Sequence, residues 1–172
     1  MLLAWLTTAA LAQSTVDIQR VSASHWTIAS SIVIDRPADQ VWAVLTDFEH
    51  MAEWSSSLQS VQGDIRDGGV VAVRFQVKPG RVKEFQHHLL YEEGAYFGWQ
   101  GDPFAAGMTD HHIDRVVDPG DSRARLEHSD EANGGMAWLL GGKAMKAFEG
   151  YCTSFNEELK ARVEAMPPSP GE

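Results

Sequence analysis

From Ala137 to Met166, apolar residues return every three or four positions: Ala137, Leu140, Ala144, Phe148, Tyr151 with Cys152, Phe155, Leu159, Val163 and Met166. That spacing predicts a single amphipathic helix of about 30 residues, roughly 45 Å long. A stripe of that length needs an apolar surface to cover it. The stretch ahead of it reads as short alternating strands, so the chain calls for a sheet that packs against one long helix. Lys160 falls off the stripe and is expected in solvent.

The strands can be placed one by one. His25–Ile34 is rich in β-branched residues and reads as the first. Pro37 then suits the start of a helix, and Asp39 in its first turn complements the dipole. Val41, Trp42, Leu45 and Phe48 repeat at helical spacing, so a short helix is expected over Ala38–Thr46, with a second helical turn over His50–Trp54. Six strands follow: Leu58–Asp64, Val70–Val77, Val82–Tyr91, Ala95–Gly101, Thr109–Val117 and Ser122–Ser129. The turns between them carry Gly and Pro, as in Asp67-Gly68-Gly69, Lys78-Pro79-Gly80 and Asp118-Pro119-Gly120. Loops this short favour sequential antiparallel pairing. Val71, Val73, Phe75 and Val77 share one face while Arg74 and Gln76 take the other, so one face of the sheet meets water. The class is α+β.

The chain has 172 residues, the size of one domain, and a formal net charge of −10. That balance lacks the basic footprint of a nucleic-acid binder, and it leaves membrane contact as a transient event at most. The single cysteine, Cys152, excludes an internal disulfide and sits on the helical stripe, as a buried small hydrophobe would.

Ile34-x-x-Pro37-x-x-x-Val41-Trp42-x-x-Leu45-x-Asp47-Phe48-x-x-x-x-Glu53-Trp54 resembles the amino-terminal signature of the START-related superfamily. That group includes polyketide cyclase/dehydrase-like, coenzyme-Q-binding-like and pollen-allergen-like proteins. Phe97-x-Trp99, then His111 or His112, His128-Ser129 and Gly134, are similar to the family's second half. The resemblance implies a helix-grip fold over residues 25–166. A curved seven-stranded antiparallel sheet would wrap around the carboxy-terminal helix and enclose an apolar cavity, with two short helices between the first and second strands. Residues 13–24 are expected to be a linker and 167–172 a disordered tail.

Within such a cavity the expected ligand contacts are Trp54, Phe75, Phe97, Trp99, Leu126, Phe148, Cys152 and Phe155, with His111 and His128 orienting a polar end. Seven histidines occur, two pairs of them as the doublets His87-His88 and His111-His112. Strand alternation lets only one member of each doublet face inward. If His87, His111 and His128 did so together, three imidazoles would converge. No helical His pair and no carboxylate at ligand spacing accompanies them, so neither a metal nor another cofactor is expected. No phosphate-cradling loop or Ser-His-Asp order is present either.

Three functions compete. The first is binding or carriage of a hydrophobic small molecule, such as a lipid, an isoprenoid or a polyketide-like compound. The second is a cyclase or dehydratase in which His111, His128 and Asp130 move protons. The third is a stress or interaction module whose interior is filled by side chains. An inward His hydrogen-bonded to a carboxylate in the cavity would favour the enzyme.

Residues 1–12 read MLLAWLTTAALA, an apolar run ending small-x-small before Gln13. This fits the core and cleavage site of a secretory signal, although no Lys or Arg precedes Arg20. A periplasmic or secreted location is expected, with the cytoplasm as the alternative. Amino-terminal sequencing of the protein from its host is expected to begin at Gln13; a mature chain retaining Met1 would refute export.

Overall fold

The computed structural model describes residues 13–100 and 107–167; the leader and nearly all of the expected tail lie outside them. Its elements are β1 (Thr15–Ser22), β2 (His25–Ile34), α1 (Ala38–Leu45), a 3-10 turn (Met51–Glu53), β3 (Leu58–Gly63), β4 (Val70–Lys78), β5 (Arg81–Glu92), β6 (Tyr96–Gln100), β7 (His111–Val117), β8 (Ala124–Asn133) and α2 (Ala137–Glu164). The strands form one antiparallel sheet in the order β1-β2-β8-β7-β6-β5-β4-β3. From β3 to β8 each strand pairs with its neighbour in the chain. The long-range link is β2 with β8, a ladder running from His25 opposite Asn133 to Ile34 opposite Ala124.

The helix-grip arrangement is present with one strand more than expected. Residues read as a linker form β1, which pairs with β2 and sets Ile18 opposite Ile28. It is an edge strand that contributes only Val16 and Ile18 to the interior. Two apolar residues among polar ones make too short an alternation to read as a strand. The helices fall between β2 and β3, and the second is a single 3-10 turn.

The main core lies between the inner face of the sheet and the last turns of α2. Ile34, Val41, Leu45, Leu58, Val71, Val73, Leu89, Phe97, Leu126, Phe155, Leu159 and Val163 are all buried there. At about 25 cal/mol per Å² of apolar area removed from water, this packing is the main drive for α2 to dock. A smaller cluster gathers Ile28, Met108, Ala132, Ala137, Met145 and Cys152 around the first half of α2. Asn156 is completely buried, and its Nδ2 donates to Ser30 Oγ of β2 at 3.0 Å.

Lys160 is not in solvent. It is buried, its Nζ donates to the Val33 carbonyl at 2.8 Å, and it pairs with Glu164 one turn on. A long aliphatic stem lets it lie along the sheet while its charge is met at the edge of β2.

Gly141 and Gly142, one turn into α2, lie against the Trp26 ring of β2. A Cβ on Gly141 would come 2.3 Å from Trp26 Cδ1, and one on Gly142 3.0 Å from Cη2. A Cβ on Gly150, later in the same helix, would meet nothing within 4 Å. Gly150→Ala should therefore stabilise the protein by up to about 1 kcal/mol through helix propensity. Gly141→Ala gains the same propensity but must displace an aromatic ring, and should cost about 1–3 kcal/mol net. Urea midpoints of the two variants test this; shifts of equal sign would mean that Trp26 does not pack on the helix.

Candidate functional site

A short pattern occurs twice, as His112-x-Asp114 on β7 and His128-x-Asp130 on β8. A spacing of two puts both residues of each pair on one face of a strand. The strands are antiparallel neighbours, with Asp114 opposite His128 and Ile113 opposite Ser129. This register sets His112 opposite Asp130. The result is a square of side chains on the inner face, in which each histidine has one aspartate across the ladder and another on its own strand. All four are buried.

Three contacts join the square. His112 Nδ1 donates to Asp130 Oδ2 at 3.3 Å, and His112 Nε2 donates to Asp114 Oδ2 at 3.0 Å. Carboxylates only accept, so an imidazole bonded to one at each nitrogen carries both protons. His128 Nδ1 lies 3.0 Å from Asp114 Oδ1, poorly aligned for a hydrogen bond, and neither atom has another hydrogen-bond partner among the described residues. Asp130 Oδ1 accepts the Glu131 backbone N–H at 2.7 Å.

Burial alone would strip the charge from both histidines and from Asp114. Burial is outweighed on His112 by the carboxylates of Asp114 and Asp130, and on His128 by Asp114, so both pKa values rise. The same two imidazoles hold the Asp114 carboxyl well below the usual carboxylate range against its own burial. The contacts within the protein therefore favour the charged forms of His112, His128 and Asp114.

Aromatic rings hold the square in place. Trp99 of β6 stacks on His112, with ring centroids 4.0 Å apart and planes 6° from parallel. The His128 ring stands edge-on to His112 at 4.5 Å and faces Tyr151 of α2 at 5.4 Å. Gly98 lets β7 approach β6, because a Cβ there would sit 2.0 Å from the His112 carbonyl oxygen.

A cavity of about 460 Å³ opens between β4, β5, β6 and the middle of α2. Phe75, Phe85, His87, Trp99, Phe148 and Tyr151 line it, and His112 and Asp130 form part of its wall. The Tyr151 hydroxyl is buried with no hydrogen-bond partner among the described residues. Burial, followed by the nearby Asp114 charge, raises its pKa far above that of a free phenol, so it stays a donor.

The expected site residues divide into three groups. Phe75, Trp99, Phe148 and Asp130 line the cavity. Trp54, Phe97, Leu126, Cys152, Phe155 and His128 stand behind it: Trp54 packs on Phe155 with centroids 5.2 Å apart, and the others are buried. His111 is a correction. The phase of β7 turns it to the outer face, 43% exposed and 3.9 Å from Glu131, and brings His112 inward instead. The doublet itself does not set that phase; Asp114, two residues on, is the signal that does, since it repeats the His128-x-Asp130 spacing. Asp114, His112, Tyr151 and Phe85 were not among the expected site residues.

Residues 25–164 match the family described as polyketide cyclase/dehydrase and lipid transport. No curated protein matches the sequence significantly. Among solved structures, the fold is similar to the ZhuI aromatase/cyclase of Streptomyces sp. R1128, at 15% identity and a TM-score of 0.64 over 81% of this chain and 94% of that one. A START superfamily protein from Mycobacterium smegmatis gives 16% identity and 0.63 over 80% and 97%. The STAR-related lipid transfer protein from Xanthomonas axonopodis gives 15% and 0.61 over 88% and 93%. Identities this low speak to the fold alone. The family match spans most of the chain and the helix-grip architecture agrees with it, so this protein belongs to the polyketide cyclase/dehydrase and lipid transport family of the START-related superfamily.

Proposed function

We propose that the cavity between the sheet and α2 binds a hydrophobic small molecule, a lipid, isoprenoid or polyketide-like compound, and holds its polar group against the wall made by Asp130, His112 and Tyr151. The observation that carries this reading is a cavity walled largely by the rings of Phe75, Phe85, Trp99, Phe148 and Tyr151, with a few polar groups, His112 and Asp130 among them, at its border. Such a site gains affinity from apolar burial and orientation from a few polar contacts. The wall also suggests the head group. A hydroxyl can donate to the Asp130 carboxylate and accept from the Tyr151 hydroxyl; an anionic head at that same wall would face the Asp130 carboxylate, with Lys83 at another part of the cavity.

Binding is favoured over catalysis because both nitrogens of His112 are engaged by carboxylates, which leaves that ring no lone pair to take a proton. A second reading, a cyclase or dehydratase, draws on the same wall: His112 and Asp130 are an inward His–carboxylate pair at the cavity, and the family includes cyclases. There Asp130 would take a proton next to a carbonyl polarised by Tyr151. The open volume counts against a filled interior.

Two experiments test the reading. A neutral hydrophobic fluorophore such as Nile red should bind the folded protein saturably and quench Trp99. Ala147 lines the cavity and is exposed, so Ala147→Trp should weaken that binding about tenfold while shifting stability within the roughly 0.5 kcal/mol of a surface change. A folded protein that binds no probe would end the binding proposal. In the second, Tyr151→Phe should weaken a long-chain alcohol by roughly 0.5–1.5 kcal/mol and leave the matching alkane unchanged. Equal losses for both would assign Tyr151 to packing. Turnover of a polyketone lost in Asp130→Asn would establish the enzyme reading instead.

A further inference from the structure

We infer that His112, Asp114 and His128 form a binding site for one divalent transition-metal ion of the Zn²⁺ kind. The inference stands whether the cavity ligand is carried or converted.

One donor atom from each of the three residues lies within 4.8 Å of the other two, and all three residues are buried. The two oxygens of Asp114 lie 3.0 Å from His112 Nε2 and 3.0 Å from His128 Nδ1. Donors about 2.1 Å from a common ion and about 90–110° apart are separated by roughly 3.0–3.4 Å, so these contacts have the length of a coordination-polyhedron edge.

The His128 contact gives the independent evidence. It is a short ion-pair contact whose alignment is poor for a hydrogen bond. Asp114 Oδ1 and both His128 nitrogens are buried with no well-aligned hydrogen-bond partner among the described residues. Native structures rarely leave such atoms unmet, because each carries its full desolvation cost. A cation that displaces the Nδ1 proton would sit between the ring nitrogen and the carboxylate and satisfy both.

The surroundings suit a metal-binding histidine. Asp130 accepts from His112 Nδ1, the nitrogen that would not bind the ion, and is itself held by the Glu131 N–H. A carboxylate behind a ligating imidazole fixes its tautomer and raises its basicity. Trp99 fixes the ring plane. The charge also closes: a divalent ion with two neutral imidazoles balances the carboxylates of Asp114 and Asp130. Two imidazoles and one carboxylate suit Zn²⁺ and its first-row neighbours better than Ca²⁺ or Mg²⁺, which prefer oxygen. Three protein ligands leave a coordination position open. His112 and Asp130 border the cavity, which provides a route for entry.

The test uses the purified full chain, stripped with a chelator and titrated with Co²⁺ and then Zn²⁺. One Co²⁺ per chain should give visible d–d bands without the near-ultraviolet thiolate band that Cys152 ligation would add, and one equivalent of Zn²⁺ should displace it. Asp130→Asn should keep the stoichiometry and weaken binding 10- to 100-fold. His128→Asn, with its fold checked by circular dichroism, should lose at least 100-fold. The wild-type spectrum decides the matter even if that variant does not fold. A folded wild type without a stoichiometric Co²⁺ spectrum overturns the inference. So does a thiolate band, or undiminished binding in folded His128→Asn, which would move the ion to the half-buried His25–Glu131 pair.

Discussion

The ladder between β2 and β8 is the contact on which the rest of this molecule depends. It joins the two ends of the domain, and closing so long a loop has an entropic cost that local hairpins do not face. What it returns is position. Once β8 lies beside β2, the chain leaves it through Gly134 and Gly135, both at positive φ, and the Gly134 N–H donates to the Ser24 carbonyl in the β1–β2 turn. That turn sends α2 back across the strands that have just paired. Asn156 and Lys160 then tie the helix to β2 through Ser30 and the Val33 carbonyl. Ladder, turn and helix form one cooperative unit, and the cavity is the space this unit leaves on the side of β4, β5 and β6.

The same ladder explains where the charged square sits. β8 is held between β2 and β7, so its inner face cannot slip by one residue without turning Leu126 and Ala132 to solvent. The register with β7 is fixed in turn, and it sets Asp114 against His128. Burying four ionisable groups is costly, and such clusters are seldom the cheapest way to stabilise a core. An apolar set of similar volume would hold β7 to β8 at least as well. The square is therefore better understood through what it presents to the cavity: through His112 and Asp130, a hydrogen-bonded polar wall beside stacked aromatic rings.

Much of the fold was legible in the residues. The stripe from Ala137 to Val163 marked α2 nearly to the residue, and the alternation of Val71 and Val73 marked a buried strand face. These signals are local and periodic. β1 lacked such a signal because an edge strand with two inward residues depends on β2 for its order. Lys160 was misjudged because a charged residue beside an apolar stripe ordinarily faces water, and only the nearby Val33 carbonyl and Glu164 make its burial tolerable.

The site was legible in part. Phe75, Trp99, Phe148 and Asp130 could be chosen as cavity residues because strand alternation and the helical stripe place them on the faces that turn toward each other. The choice between His111 and His112 could not be made from the doublet, since a strand's phase belongs to its pairing and not to either residue. The convergence of His112, Asp114 and His128 depends on two strands lying in one register, a distance that no spacing along the chain encodes. The sequence by itself determined the class of fold, the helix that closes it and the acidic balance of the chain, because periodicity and charge are read locally. Only the tertiary structure decided which histidine faces inward, what each buried charge is paired with and where the cavity opens, because those depend on side chains brought together from distant parts of the chain.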